Sequence, residues 1–298
     1  MTNMDEKYSS IRFLLTVTVV AVFLLLFAAI FTYQNRKTVR TPSAHVAATI
    51  FPLYGLASFI GAEHASVQLI LPEGEALSEL AAAASRVSYD NVQAIFAIGH
   101  ELDTAGIPEE ARERIFTVDE NVSLQTDGDG KTNPYYWLSV KEAPIIAENI
   151  TRRLSSLDPE HESYYRGRLN LLRQQLAILD ANIAELMLQI PAQQLAVYGY
   201  DWSYFAEDYG LDIVWYEPVV RDDVIATASL DTLAERMEKN GLSTIFSDVN
   251  LSPVPLLPAM LRTNAMLLNL DALGGIEGRV SYSTLMAFNA RTIFDGAR

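Results

Sequence analysis

"DPEHESYYRGRLNLLRQQLAILDANIAELMLQIP", residues 158–191, decides the fold. Its large apolar residues are Tyr165, Leu169, Leu172, Leu176, Leu179, Ile183, Leu186 and Ile190, spaced alternately by four and three. That spacing places them on one face of a helix. Asp158 is positioned to cap the helix and Pro159 suits its first turn. Pro191 ends it. A helix over 159–190 is about 48 Å long. The stripe admits two readings, a coiled-coil dimer or a strut packed along two flanking lobes. The repeat stops abruptly at both ends, which favours the strut.

Strand-like runs flank the helix on both sides. Before it come "VAATIF" (46–51), "SVQLIL" (66–71), "AIFAIG" (94–99) and "RIFTVD" (114–119). After it come "LAVYGY" (195–200), "DIVWYE" (212–217), "STIFSD" (243–248) and "AMLLNL" (265–270). Helical patterns fill the gaps, with a last helix near 281–294. Alternating strands and helices predict parallel sheets covered on both faces. Two sets of four predict two similar α/β lobes, at 45–157 and 192–298, joined by the long helix at 158–191.

Residues 13–33, "FLLTVTVVAVFLLLFAAIFTY", carry no charge. Their length as a helix, roughly 31 Å, matches a bilayer core. No small-x-small cleavage site follows, so the run is expected to stay attached as a transmembrane anchor. Residues 1–12 form a tail before it and 34–44 a polar linker after it. Lys7 and Arg12 precede the run, and Arg36, Lys37 and Arg40 follow it, so charge alone does not favour an exported body.

The chain of 298 residues has no cysteine and a net charge of −15. That excludes disulfides, thiolate metal sites and a cysteine nucleophile. Beyond residue 40 there are 17 basic and 35 acidic residues, a net charge of −18. A field of that sign argues against nucleic acid as a partner.

Of the four histidines, His45 falls in the linker, His64 in a turn and His161 at the start of the strut, all read as surface residues. His100 follows the third strand, where open α/β sheets bind ligands. "TDGDGKT" (126–132) resembles the start of a calcium loop but lacks the later ligands, and reads as an acidic hairpin. No phosphate-binding or dinucleotide-binding glycine motif is present, and no nucleophile is paired with a base. The sequence points to binding, not to an enzyme.

Four loops after strands carry a resemblance: "LPEGEALSELAAAASRV" (71–87), "TNPYYWLSV" (132–140), "VYGYDWSYFAEDYGLDIVWYEP" (197–218) and "LNLDALGGIEGRVSYSTLMAFN" (268–289). With the strut between them, they resemble the solute-binding proteins of bacterial ABC importers for zinc and manganese. The resemblance covers nearly all of the chain after about residue 45. It implies two α/β lobes, a metal ion in the cleft between them, a membrane permease as partner, a monomer, and a body on the extracytoplasmic side of the membrane. The family's four ligand positions fall on Ser78, Tyr135, Gly199 and Asp271. Only Asp271 keeps a family donor. Zinc needs three or four good donors; serine is a poor one, glycine offers no side chain, and an ordinary tyrosine ionises near pH 10. Zinc or manganese is therefore expected to bind weakly or not at all, unless His100, Glu79 or Asp201 gathers around Asp271. Two alternatives stay open. One is a small organic ligand or cation held by Tyr135, Tyr136, Tyr200 and Trp202. The other is an adhesion or scaffold module with no ligand.

Overall fold

The computed structural model of the chain describes residues 42–298, except 101, 127–129, 192 and 220–223. The apolar run 13–33 and the carboxylates of the "TDGDGKT" loop lie outside the described residues. Thr126 and Thr132 pair in an antiparallel bridge, as a hairpin requires. Among the described residues, no helix is long and apolar enough to cross a membrane.

Strands β1 (Ala44–Ala48), β2 (Ala65–Leu69), β3 (Ala94–Ala97) and β4 (Ile115–Thr117) form one parallel sheet in the order β2-β1-β3-β4. Strands β5 (Gln194–Gly199), β6 (Asp212–Pro218), β7 (Thr244–Asp248) and β8 (Met266–Leu270) form a second parallel sheet in the matching order β6-β5-β7-β8. Every residue of β3 and β7 is buried, as central strands covered by helices on both faces must be. All eight runs read as strands are strands, with shifted ends. β1 stops at Ala48 because Pro52 lies in the first turn of helix α1 (Phe51–Gly61), where proline's fixed φ favours helix entry. β1 also starts early enough to include His45, which is a strand residue and not part of the linker. Its N–H donates to Gln93 Oε1 at 2.8 Å.

Short helices α2 (Leu80–Ala84) and α3 (Glu109–Arg112) and the longer α4 (Ala143–Leu157) complete the first half of the chain. The strut is α5 (Glu162–Met187), entered through a tight turn at Pro159–His161. Asp158 does not cap it. Instead its carboxylate accepts the Tyr165 hydroxyl at 2.7 Å and meets the His161 ring nitrogen at 2.8 Å. The stripe from Tyr165 to Ile183 is buried, as is Ile190, but Met187 takes the core place expected for the half-buried Leu186. The buried face packs on α1, on α4 and on α9 (Tyr282–Gly296), helices that belong to both sheets. His64 is not a surface residue. It is buried and stacked on His161, ring centroids 3.8 Å apart.

Helices α6 (Ser203–Tyr209), α7 (Thr227–Asn240) and α8 (Leu257–Thr263) complete the second half. One hydrophobic core runs from the first sheet through α5 into α6 and α9, and a smaller cluster lies between the second sheet and α7. In both sheets the chain order reverses between the two central strands. Segments leaving there diverge to opposite faces and open a crevice at the carboxyl ends. The two crevices face each other.

Candidate ligand cleft

The crevices merge into a cleft of about 600 Å³. The first half supplies His100, Leu102 and the segment 131–135 as walls; the second supplies Asp201, Tyr216 and Pro218. Hydrogen bonds fasten the halves around it. Trp137 Nε1–H donates to the Ala272 carbonyl at 2.8 Å, and the Tyr282 hydroxyl lies 2.9 Å from the carbonyls of Trp137 and Ser139. Ser139 Oγ–H donates to Asp208 Oδ2 at 2.8 Å, and the Tyr204 hydroxyl accepts from Gln125 N–H at 2.8 Å.

These contacts explain the ring triplet at 135–137. Tyr136 is wholly buried, and its hydroxyl donates to the Ile98 carbonyl at 2.8 Å. Trp137 bridges the halves. Tyr135 alone lines the cleft, with its ring centroid 5.4 Å from Trp137 and 5.6 Å from Tyr200. The aromatic surface expected from Tyr136, Tyr200 and Trp202 is not offered, since all three are buried. Tyr216 provides a second cleft ring that the sequence did not single out.

Of Ser78, Tyr135, Gly199 and Asp271, Tyr135 alone lines the cleft. Ser78 and Glu79 are exposed and line no part of the cleft. Burial, and then the Asp201 charge, push the Tyr135 phenol up, so it stays protonated at neutral pH. Gly199 ends β5 with φ +113°, and a Cβ there would lie 2.5 Å from Leu251 Cδ1. That room is already filled.

Asp271 is fully engaged. Its Oδ1 accepts the N–H groups of Leu273 (2.9 Å) and Gly274 (2.7 Å), and its Oδ2 takes Arg279 Nε–H at 2.5 Å. The pair is buried, with side-chain exposures of 1% and 5%. The guanidinium lies 4.4 Å from the Phe288 ring centroid and also reaches Glu277. Burying a charge is costly unless it is paired and hydrogen-bonded, and here the chain's own arginine supplies the pair.

Two further buried acids brace the turns at the strand ends. Asp248, at the end of β7, accepts from Asn250 N–H (2.9 Å) and Ala272 N–H (3.0 Å). Burial first, and the Asp271 charge in addition, push its carboxyl up to about 7. Asp103 accepts from Ile98 N–H (2.6 Å), Gly99 N–H (2.9 Å) and the Thr49 hydroxyl, and burial pushes it up as well. It pins the turn that carries His100, at φ +54°, into the cleft wall. His100 Nε2 is tied to Asp119 at 3.0 Å. Among the described residues, no three His, Asp or Glu side chains are grouped to hold a metal ion. His100, Glu79 and Asp201 therefore do not gather around Asp271, and the residues present do not fit a zinc or manganese ion.

Two parallel α/β lobes spanned by one helix and facing across a walled cleft define a bilobed solute-binding protein. Residues 46–296 match the family described as zinc-uptake complex component A, periplasmic, and the chain belongs to that family. Among curated relatives, the iron-binding protein YfeA of Yersinia pestis is 29% identical over 173 residues, 56% of each chain. The manganese ABC transporter substrate-binding lipoprotein PsaA of Streptococcus mitis is 24% identical over 174 residues, again 56% of each. The chain thus matches little more than half the length of these relatives. Among solved structures, ZnuA superposes with a TM-score of 0.71 at 19% identity, covering 86% of this chain and 99% of that one. The laminin-binding adhesin Lmb of Streptococcus agalactiae reaches 0.73 at 16%, covering 85% and 99%. At such identities the structures speak for the fold alone.

Proposed function

We propose that the chain is the solute-binding component of an ABC importer of the metal class, with its metal position taken over by its own side chains. It acts on the extracytoplasmic side as a monomer, is tethered by residues 13–33 and hands its ligand to a membrane permease. Family membership supports the transport role. The Asp271–Arg279 pair carries the rest of the reading, since it neutralises the one retained family donor. Leu251 against Gly199 supports it, because a donor side chain has no room to start there.

Titration of the full-length protein with zinc and manganese by calorimetry tests this. Binding should be no tighter than micromolar and should fade with added salt, as attraction to a general negative field does. Submicromolar, salt-resistant binding that is lost in Asp271→Ala would overturn it. External protease should digest the body in intact spheroplasts; a protected body would overturn the placement.

A further inference from the structure

We propose that the cleft binds the ammonium group of a small organic monocation, held by the Asp201 carboxylate beside the rings of Tyr135 and Tyr216. This rests on reading the chain as a solute-binding protein, and it supplies a cargo class for a cleft unsuited to metal. Asp201 follows β5 and lines the cleft with both rings. Its Oδ1 accepts from Ser203 N–H at 2.9 Å and from the Ser203 hydroxyl. Those bonds fix the carboxylate at the entry of α6. Its Oδ2 takes no bond from a described residue, and no described Lys, Arg or His pairs with it. The other acids described above are satisfied: Asp119 by His100, Asp271 by Arg279, and Asp248 and Asp103 by backbone N–H groups. Among the described lining residues, Asp201 is the one carboxylate.

The surroundings select the kind of cation. Tyr135 and Tyr216 both feel the Asp201 charge, which, after burial, raises both phenols. Neutral rings next to an anion present electron-rich faces to a cation, and they favour a large, weakly hydrated ammonium over a metal ion. A cavity of about 600 Å³ suits a small organic molecule. Leu102, Pro134 and Pro218 give its carbon skeleton apolar wall. The single carboxylate among the described lining residues matches a ligand with one positive charge.

The test uses the full-length protein in non-ionic detergent at fixed ionic strength. Tetramethylammonium and 1,4-diaminobutane are each titrated by calorimetry, and saturation transfer is read on the ligand protons. Tetramethylammonium should bind saturably, with a dissociation constant no weaker than about 1 mM, and more tightly than the diamine. Asp201→Asn, which keeps Oδ1 for the Ser203 bonds, should abolish binding. Tyr216→Leu should weaken it by about tenfold. No saturable binding, equal binding by Asp201→Asn, or a preference for the diamine overturns the proposal. Zinc titration of the same samples reports separately on the metal position, so either reading can fail without the other.

Discussion

At the scale of the residue, Asp248 makes the folded state sensitive to pH. Its carboxyl ionises near 3.8 when unfolded and near about 7 in place. Between those values the folded chain binds more protons than the unfolded one. The contribution to stability is therefore full below about pH 4 and is lost as pH rises towards about 7. Asp103 and Asp208 are shifted in the same direction and add to the slope. Urea unfolding across this range should show stability falling with pH, and less steeply in Asp248→Asn; equal slopes would count against a raised carboxyl. Gly199→Ala should cost about 1–3 kcal/mol from its left-handed φ alone, with a further cost from the Leu251 contact. Adding Leu251→Ala should remove that second part; thermal melts of the single and double variants separate the two. The motifs single out Tyr135, Gly199 and Asp271. They do not show what surrounds them. Arg279 lies eight residues beyond Asp271 in an ordinary glycine loop, and Leu251 meets Gly199 only because β5 and β7 are neighbours.

At the scale of the element, α5 shows how far periodicity reaches. The alternation of four and three residues locates the buried face. It does not anticipate the entry, where Asp158 prefers the Tyr165 hydroxyl and the His161 ring to capping backbone N–H groups, or the exit, where Met187 supplants Leu186. The entry also depends on a partner distant in sequence, His64, which stacks on His161 and which no helical pattern contains. The strut also yields a paired prediction. Leu176, 1% exposed, packs in the core, while Ile178, 63% exposed, faces solvent. Leu176→Ala should cost about 2–5 kcal/mol, and Ile178→Ala less than about 0.5 kcal/mol, as measured by urea unfolding. If Ile178→Asp instead dissociated a dimer in sedimentation, the outer face of the helix would be an interface.

At the scale of the whole molecule, the two sheets share one core and are pinned by buried hydrogen bonds across the cleft, so they should unfold together. Calorimetry of the intact chain should show one transition for residues 42–298. Tyr282→Phe, which removes the hydroxyl at the Trp137 and Ser139 carbonyls, should lower stability by about 1–3 kcal/mol without splitting that transition; two separated transitions would mean that the lobes fold independently. Over generations, the Leu251 methyl at Gly199 acts as a ratchet. A lineage placing a side chain at 199 must first empty the space Leu251 fills, and the smaller residue gives no benefit until that side chain arrives. Either change alone weakens the fold, so the route to a side chain at this position crosses a valley of less stable intermediates. Exposed Ser78 faces no such barrier. Descent at this position is thereby steered by packing, while Tyr135, Asp201 and Tyr216 have open space before them.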